Sequence, residues 1–369
     1  MKKFPTRQVH LDFHTSQWIR DIGQRFDKAK FQKALKDGHI ESITVFGKCH
    51  HSYCYYPTKV GHVHPGLAPG RDFVGELMDA CHEIGVRAPL YLPIGWSALD
   101  AELHPEWVMR DIDGNMCTKN YDLPQPPEAE RPECSWLRLC TAGGYRQHLW
   151  ALTEEVCSRY AVLDGLFFDI TLLGDACYCD HCVKGMEEAG MDPKDPAAAA
   201  RYFQQQKKIT MDGLVAILHR HHPQASVFFN SGGADILKPQ WHYLSTHYEM
   251  EDLPTVWGGY DKLPMRARYF HNLGKDYLGM TGKFHTSWGE FGGYKHKNAL
   301  RYEAALSLAY GAKCSIGDQL HPNGMMSPAT YSLIGAAYAE VEQKESWCDE
   351  VCAVADVGVL SVEAITKKN

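Results

Sequence analysis

No apolar run in this sequence approaches the ~20 residues that a membrane-spanning helix needs, so no membrane partner is expected. Positive charge is also in short supply. Lys and Arg number 38 against 45 Asp and Glu, a net charge of −7 with a pI near 6.3. Nucleic acids and anionic membrane surfaces bind through excess basic charge, so neither is an expected partner. The opening residues, MKKFPTRQVHLDFH, hold two lysines but no apolar h-region, so no signal peptide is expected and the chain reads as cytoplasmic. Internal repeats and low-complexity tracts are missing as well. At 369 residues and 41.6 kDa the chain can bury a large core, and a single α/β barrel would fill most of it.

Sulfur and rings are what the chain has in quantity. Thirteen cysteines, an odd number spread over a long chain, favour reduced thiols plus a metal site over a disulfide scaffold. Nine Trp, nineteen Tyr and twenty His suit the binding of neutral polyols, although many of them must be core.

Strand character recurs over residues 8–14, 42–46, 88–92, 166–170, 226–230, 244–249, 277–284 and 313–318. Helical apolar spacing separates most of them, over 26–38, 71–84, 145–160, 198–221 and 328–346. Parallel strands need crossover helices, so this alternation predicts an α/β fold, a (β/α)8 TIM barrel, over residues 1–350. A Pro-rich insertion covers 123–132, and the tail 351–369 contains one more apolar run, DVGVLSVEA. A lone strand is unstable by itself, so the tail packs on the barrel or begins a further domain that is cut short.

The richest stretch is 165–182, GLFFDI-TLLGDA-CYCDHC. Leu166, Phe167 and Phe168 form an apolar run that ends in Asp169, the place where a barrel puts catalytic carboxylates. Other polar residues at strand ends are His14, His50, His51, Tyr91, Asn230, Glu249, Glu290 and Asp318. All of these would face one mouth. Glu249 and Glu251 (HYEMEDLP) and Glu290 (SWGEFGG) are the candidates for a second carboxylate, each also readable as an ordinary loop acid. Tyr55, Tyr56, Trp96, Trp257 and Trp288 are either sugar platforms or barrel packing. Adjacent residues on an extended strand point to opposite sides, so only a turn at Cys49 would let both His50 and His51 face the mouth.

Cys177, Cys179 and Cys182 stand at C-x-C-x-x-C spacing, which suits thiolates converging on one zinc. A redox C-x-x-C is the rival reading, disfavoured by the third cysteine and by the position after a barrel strand. A fourth ligand is needed, and Cys140 is chosen over Cys117 and Cys134. Four thiolates would make that zinc structural, and no organic cofactor is expected.

TVFGKCHHSYCYYP resembles the stretch of α-L-fucosidases where paired histidines bind the sugar, and RDFVGELMDACHEIGVRAPLYLPIGW resembles the helix and third strand that follow there. LDFHTS and YAVLDGLFFDI are similar to their first and fourth strands. The resemblance implies that His14, His50, His51 and Tyr91 bind sugar hydroxyls and that Asp169 is the nucleophile. Two departures stand out: Ser52 where those enzymes have Asp, and Ile170 where Gly is common. YEMEDLPTVWGGY resembles a segment in which a Glu precedes Trp-Gly-Tyr, which points to Glu249 as the acid/base, with Glu290 next in line. Trp257 or Trp288 would then lie against the apolar face of the sugar. CYCDHC and the upstream Cys140 resemble the zinc site of microbial β-galactosidases, whose barrel is followed by a trimerisation domain, and the tail is similar to that domain's start. The resemblances imply a retaining exo-glycosidase cleaving terminal fucose from a small saccharide substrate, in a chain that could form a homo-oligomer. Two alternatives remain: a β-galactosidase-like enzyme with Asp169 as acid and Glu290 as nucleophile, and a non-catalytic glycan-binding or scaffold barrel.

Overall fold

Along the first strand, Arg7–Asp12, successive side chains take opposite faces, so Val9 and Leu11 share one and His10 and Asp12 the other. His10 packs among Phe46, Tyr91 and Phe167 from three other strands, which identifies its face as the barrel axis. The computed structural model describes residues 3–118, 136–171 and 174–359. Seven further parallel strands follow: Ser42–Phe46, Leu90–Pro93, Gly165–Asp169, Ser226–Phe229, Tyr248–Glu251, Tyr277–Gly282 and Lys313–Gln319. They form one sheet in the order five, four, three, two, one, eight, seven, six. The seam between strands five and six is bridged by Thr246, whose N–H donates to the Val227 carbonyl at 2.9 Å while its hydroxyl accepts from Val227 N–H at 2.9 Å. The fold is thus a nearly closed (β/α)8 barrel, as the alternation of strands and helices predicts.

Local chemistry starts the helices. Asp27 accepts from Lys30 N–H to cap Lys28–Asp37, and Asp72 accepts from Gly75 N–H to cap Phe73–His82. Asp195 and Ser327 cap Pro196–His221 and Pro328–Glu342, each with proline in the first turn, where its missing N–H costs nothing. Helices Lys262–His271 and Lys297–Ala309 complete the alternation and were not anticipated. The sixth strand also differs from its expected span. It begins at Tyr248, because residues 242–247 run through a turn and bends instead, and it runs on to Glu251. Residues 351–359 carry no strand, and Val354, Val357 and Val359 are exposed there; the rest of the tail and the Pro-rich insertion lie outside the described residues.

One buried ion pair anchors the loops that follow strands two and three. Lys48 and Asp100 are both almost fully enclosed, with Nζ 2.5 Å from Oδ2. Ser97 donates to the same carboxylate at 2.6 Å, Asp100 N–H donates to Ser52 Oγ at 3.0 Å, and His62 and His148 stand 3.4 and 3.7 Å away. Burial alone would raise the Asp100 carboxyl, but the Lys48 charge and the two histidines hold it well below the usual range. Removing one partner leaves the other buried and uncompensated. Lys48→Met should therefore destabilise the chain by about 3–5 kcal/mol in urea unfolding. Lys48→Met combined with Asp100→Leu should recover much of that loss, and equal losses in the single and double variants would deny the pair its role.

Candidate active site

Asp169 ends the fourth strand and is buried at the mouth of the barrel. Tyr91, on strand three, donates its hydroxyl to Asp169 Oδ2 at 2.6 Å and lies 2.7 Å from His50 Nε2. His50 Nε2 itself is 3.3 Å from the same oxygen. Tyr91 is held flat against Phe46, with ring centroids 3.7 Å apart. The other oxygen, Oδ1, accepts from Asn230 Nδ2 at 3.0 Å, and the same amide nitrogen donates to Glu251 Oε2 at 2.9 Å. These two bonds, 3.0 and 2.9 Å, cap the separation of the bridged carboxylate oxygens at 5.9 Å.

The two acids are driven apart in strength. Burial alone would raise the Asp169 carboxyl, but the hydrogen bond and charge of His50, followed by Tyr91 and His10, hold it below the ordinary aspartate value. Glu251 moves the other way: burial first, and then the Asp169 charge, raise it, while Asn230 opposes only in part. The pair is thereby graded, with Asp169 the stronger acid and Glu251 the weaker. Directly beyond Asp169 and Asn230 the backbone turns through left-handed residues, Ile170 at φ 55° and Ser231 at φ 62°. A β-branched side chain is strained in that region, which accounts for glycine being common at the position of Ile170 in the family it resembles.

Around this centre His14 stacks on His50 at 4.0 Å, and its Nδ1 accepts from His50 N–H at 3.2 Å. Asp12 lies within 3.9 Å of His14 and 3.5 Å of His10. Trp288 leans over the axis, 6.4 Å from His10, and can do so because residue 317 is glycine: a Cβ there would come within 2.8 Å of the indole. The turn expected at Cys49 is present, with Ser52 N–H donating to Cys49 O at 2.9 Å. It separates the histidine pair. His50 reaches the Asp169 oxygen, whereas His51 bonds the buried Cys49 thiol and helps pull it down to about 7. Trp136 packs edge-on against both imidazoles, at 5.4 and 5.7 Å, and Trp96 against His50 at 5.3 Å. Nothing in the sequence flanking Trp136 distinguished it.

Other candidates lie elsewhere. Glu249 is two residues below Glu251 on strand six, about 7 Å deeper. Its Oε1 is 2.9 Å from His247 Nε2, and it lines the barrel floor with Gln8, Ser42 and Thr44 while also bordering the cleft beside Glu251. Glu290 folds its own loop, accepting from the backbone of His285 and Thr286 and from the Thr286 hydroxyl. Asp318 sits beside Leu11 in the register, facing away from the axis toward Tyr331, where burial lifts it to about 6. Tyr55 and Tyr56 are fully buried, which makes them packing: their hydroxyls donate to Phe13 O and Glu155. Trp257 stands across the mouth on a cleft shared with Asn230 and Glu251.

The four cysteines do converge. Cys140, Cys177, Cys179 and Cys182 are buried, their sulfurs all lie within 4.8 Å of one another, and Cys140 and Cys182 are 3.5 Å apart. Zn–S bonds near 2.3 Å in a tetrahedron put sulfurs about 3.8 Å apart, so the donor set fits one such ion. Cys117, the other described alternative, stands outside the cluster.

Residues 27–170 match a family model described as hypothetical glycosyl hydrolase 6, a span that includes the histidine pair and Tyr91 and stops one residue after Asp169. Among solved structures, α-L-fucosidase isoenzyme 2 from Paenibacillus thiaminolyticus is 43% identical with a TM-score of 0.89, over 98% of this chain and 53% of that one. The α-L-fucosidase resemblance holds. The chain spans about half the length of that relative. Isoenzyme 1 from the same organism, at 14% identity and TM-score 0.56, covers 95% of this chain and 76% of its own. A GH29 α-L-fucosidase from Bacteroides thetaiotaomicron, at 14% and 0.53, covers 88% and 61%. These two share the fold. No curated protein matches by sequence.

The thiol cluster makes a prediction independent of activity. One equivalent of zinc per chain should bind and raise the melting temperature, and Cys182→Ser should abolish the rise. Two equivalents, or an equal rise in the variant, would place the metal elsewhere.

Proposed function

We propose that this chain is a retaining glycoside hydrolase that releases terminal α-L-fucose, with Asp169 as nucleophile and Glu251 as acid/base. The observation that carries the reading is the carboxyl pair bridged by Asn230, capped at 5.9 Å. Retaining enzymes hold their carboxyls at about 5–5.5 Å, whereas inverting ones need about 6.5–9.5 Å to admit a water between. The choice of sugar is supported by the 43% identity to isoenzyme 2.

In the first step Asp169 attacks the anomeric carbon as the glycosidic C–O bond breaks, and Glu251 gives its proton to the departing oxygen. Glu251, now a carboxylate, then takes a proton from water as that water attacks the same carbon. Asp169 leaves ionised, and two inversions amount to retention. His50 and Tyr91 keep Asp169 charged. His14 would meet sugar hydroxyls and Trp288 the apolar face of the ring, whereas His51 is engaged with Cys49. Glu249, which the Trp-Gly-Tyr resemblance favoured, is engaged with His247 at the floor, so the acid/base role passes to Glu251. The four thiolates would hold zinc as a closed structural site that stabilises without touching substrate. Such a thiol-rich chain suits a reducing compartment such as the cytoplasm.

Asp169→Asn should abolish turnover while leaving the melting temperature unchanged. Glu251→Ala should lower kcat/KM for a natural fucoside by ~10²–10⁴-fold, and azide should rescue it on an aryl fucoside with an α-linked azide as product. Rescue confined to Glu249→Ala or Glu290→Ala would overturn the assignment.

The pH profile is a separate check. Activity needs Asp169 ionised and Glu251 protonated. The lowered Asp169 pKa therefore sets the acid limb below the usual aspartate range, and the raised Glu251 pKa sets the alkaline limb above the usual glutamate range. Tyr91→Phe removes a hydrogen bond from ionised Asp169 and should move the acid limb upward. An unmoved limb would mean that Tyr91 does not tune the nucleophile.

A further inference from the structure

Beyond strand seven, residues 284–294 form a loop in which His285, Thr286 and Ser287 are exposed on one limb and Phe291 and Gly292 on the other. Between the limbs Trp288 turns back, half-buried, onto Phe284 at 5.2 Å and toward His10 at 6.4 Å. An exposed loop has little core to hold it. The place of this indole therefore depends on bonds made by the loop itself.

Two charged groups make those bonds. The Glu290 carboxylate accepts from the N–H of His285, from the N–H of Thr286 at 2.6 Å and from the Thr286 hydroxyl, tying one limb to the other across Trp288. Glycine at 293 lets it fold inward, since a Cβ there would collide with the carboxylate. Lys283 is buried at the foot of the loop and donates from Nζ to the carbonyls of Glu290 and Gly293, both at 3.3 Å. The rings of Phe284 and Tyr294 lie 5.3 and 5.1 Å from the same ammonium. Lys295 N–H closes the neck by donating to the Lys283 carbonyl at 2.7 Å, and Lys295 Nζ is held by Glu303 at 2.7 Å. Burial would raise the Glu290 carboxyl, but Thr286 and the His285 N–H hold it below the ordinary glutamate value. An ionised group whose oxygens already accept three hydrogen bonds is a poor proton donor and a poor nucleophile.

We propose that Glu290 is a positioning residue that acts through Trp288: its carboxylate clasps the loop, so that the indole stands over the barrel axis before a sugar arrives. The inference rests on the glycosidase reading above, in which Trp288 meets the apolar face of the ring, and it gives Glu290 no part in bond breaking. A binding surface ordered in advance loses less freedom when its ligand arrives. Loosening it weakens ground state and transition state alike, which raises KM and leaves kcat nearly unchanged. Loss of a reacting carboxylate would instead depress kcat.

Glu290→Ala and Glu290→Gln in the full chain separate the two roles. The alanine variant should raise KM for an aryl fucoside about three- to tenfold with kcat nearly unchanged. Glutamine keeps an acceptor for both backbone N–H groups and can donate to the Thr286 hydroxyl, so it should restore most of the loss. A glutamine variant with kcat as depressed as that of Asp169→Asn would overturn the proposal. Trp288→Ala should raise KM in the same way, and adding Glu290→Ala to it should change little, because the clasp works only through the indole. Additive losses would count against it. A readout independent of turnover is the fluorine NMR spectrum of the chain labelled with fluorotryptophan, its Trp288 resonance assigned through Trp288→Phe. That resonance should shift or broaden in Glu290→Ala and return in Glu290→Gln, while the other indoles hold still. Should the wild-type chain turn over no fucoside, the hydrolase reading itself fails and the spectrum alone decides. A Trp288 resonance unmoved in Glu290→Ala, or moved together with all the others, would end the proposal.

Discussion

A single side-chain amide has to satisfy two carboxylates that would otherwise repel each other across the mouth of the barrel. Asn230 spends both hydrogens of one nitrogen on them, at 3.0 Å to Asp169 and 2.9 Å to Glu251. Two ionised carboxylates this close in a partly dry site would be costly, and the usual outcome is that one keeps its proton. Which one does so depends on the remaining partners. His50 and Tyr91 both converge on Asp169 and favour its charge, whereas the Glu251 carboxyl accepts from the neutral Asn230 amide and is raised by burial. The asymmetry that acid/base chemistry needs is therefore set by neighbours on strands two to six, not by the two acids themselves.

The barrel supplies that asymmetry by fixing where each strand stops. Ile94 N–H donates to the Asp169 carbonyl at 2.8 Å and Thr171 N–H to the Asn230 carbonyl at 3.2 Å, so the ends of strands three, four and five are laced together just where their side chains turn inward. On the other flank, Ala98 N–H donates to the His50 carbonyl at 2.9 Å, while the Lys48–Asp100 pair lies below the same turn. A displaced His50 would alter the hydrogen bond that keeps Asp169 ionised. The buried pair thereby bears on the chemistry without bordering it.

Much of this was legible in the sequence, and the misses have definite physical causes. Asp169 was readable because an apolar run ending in a lone acid is what a barrel strand presents at its mouth. Glu249 and Glu251 share one parity, so alternation places both on the axis but cannot give their depth. Depth depends on where the strand begins, and Leu244 and Thr246 continue the alternating pattern through what is actually a turn and a seam contact. At Asp318 the error was one of parity: the strand runs on to Gln319, which pairs with Asp12, so Asp318 faces the helix layer. Trp136 and the Lys48–Asp100 pair could not be read, because each depends on contacts between segments distant in sequence.

The thiol cluster is separate from the chemistry yet belongs to the same stretch of chain as Asp169. Directly after Asp169 the backbone enters the left-handed region at Ile170, a conformation that costs of order 1–3 kcal/mol and persists only where the surroundings over-determine it. On one side Thr171 is tied to Asn230; on the other, Lys207 of the long helix donates to the Gly174 carbonyl, and Cys177, Cys179 and Cys182 gather against Cys140. Tyr178 N–H adds a bond of 2.9 Å to the Arg110 carbonyl. A metal held by those thiolates would join the segment leaving strand four to the segment that brings Trp136 over His50. One closed site would then restrain both the strained exit from Asp169 and the aromatic wall of its histidine partner, and it could do so without any ligand bordering the carboxyl pair.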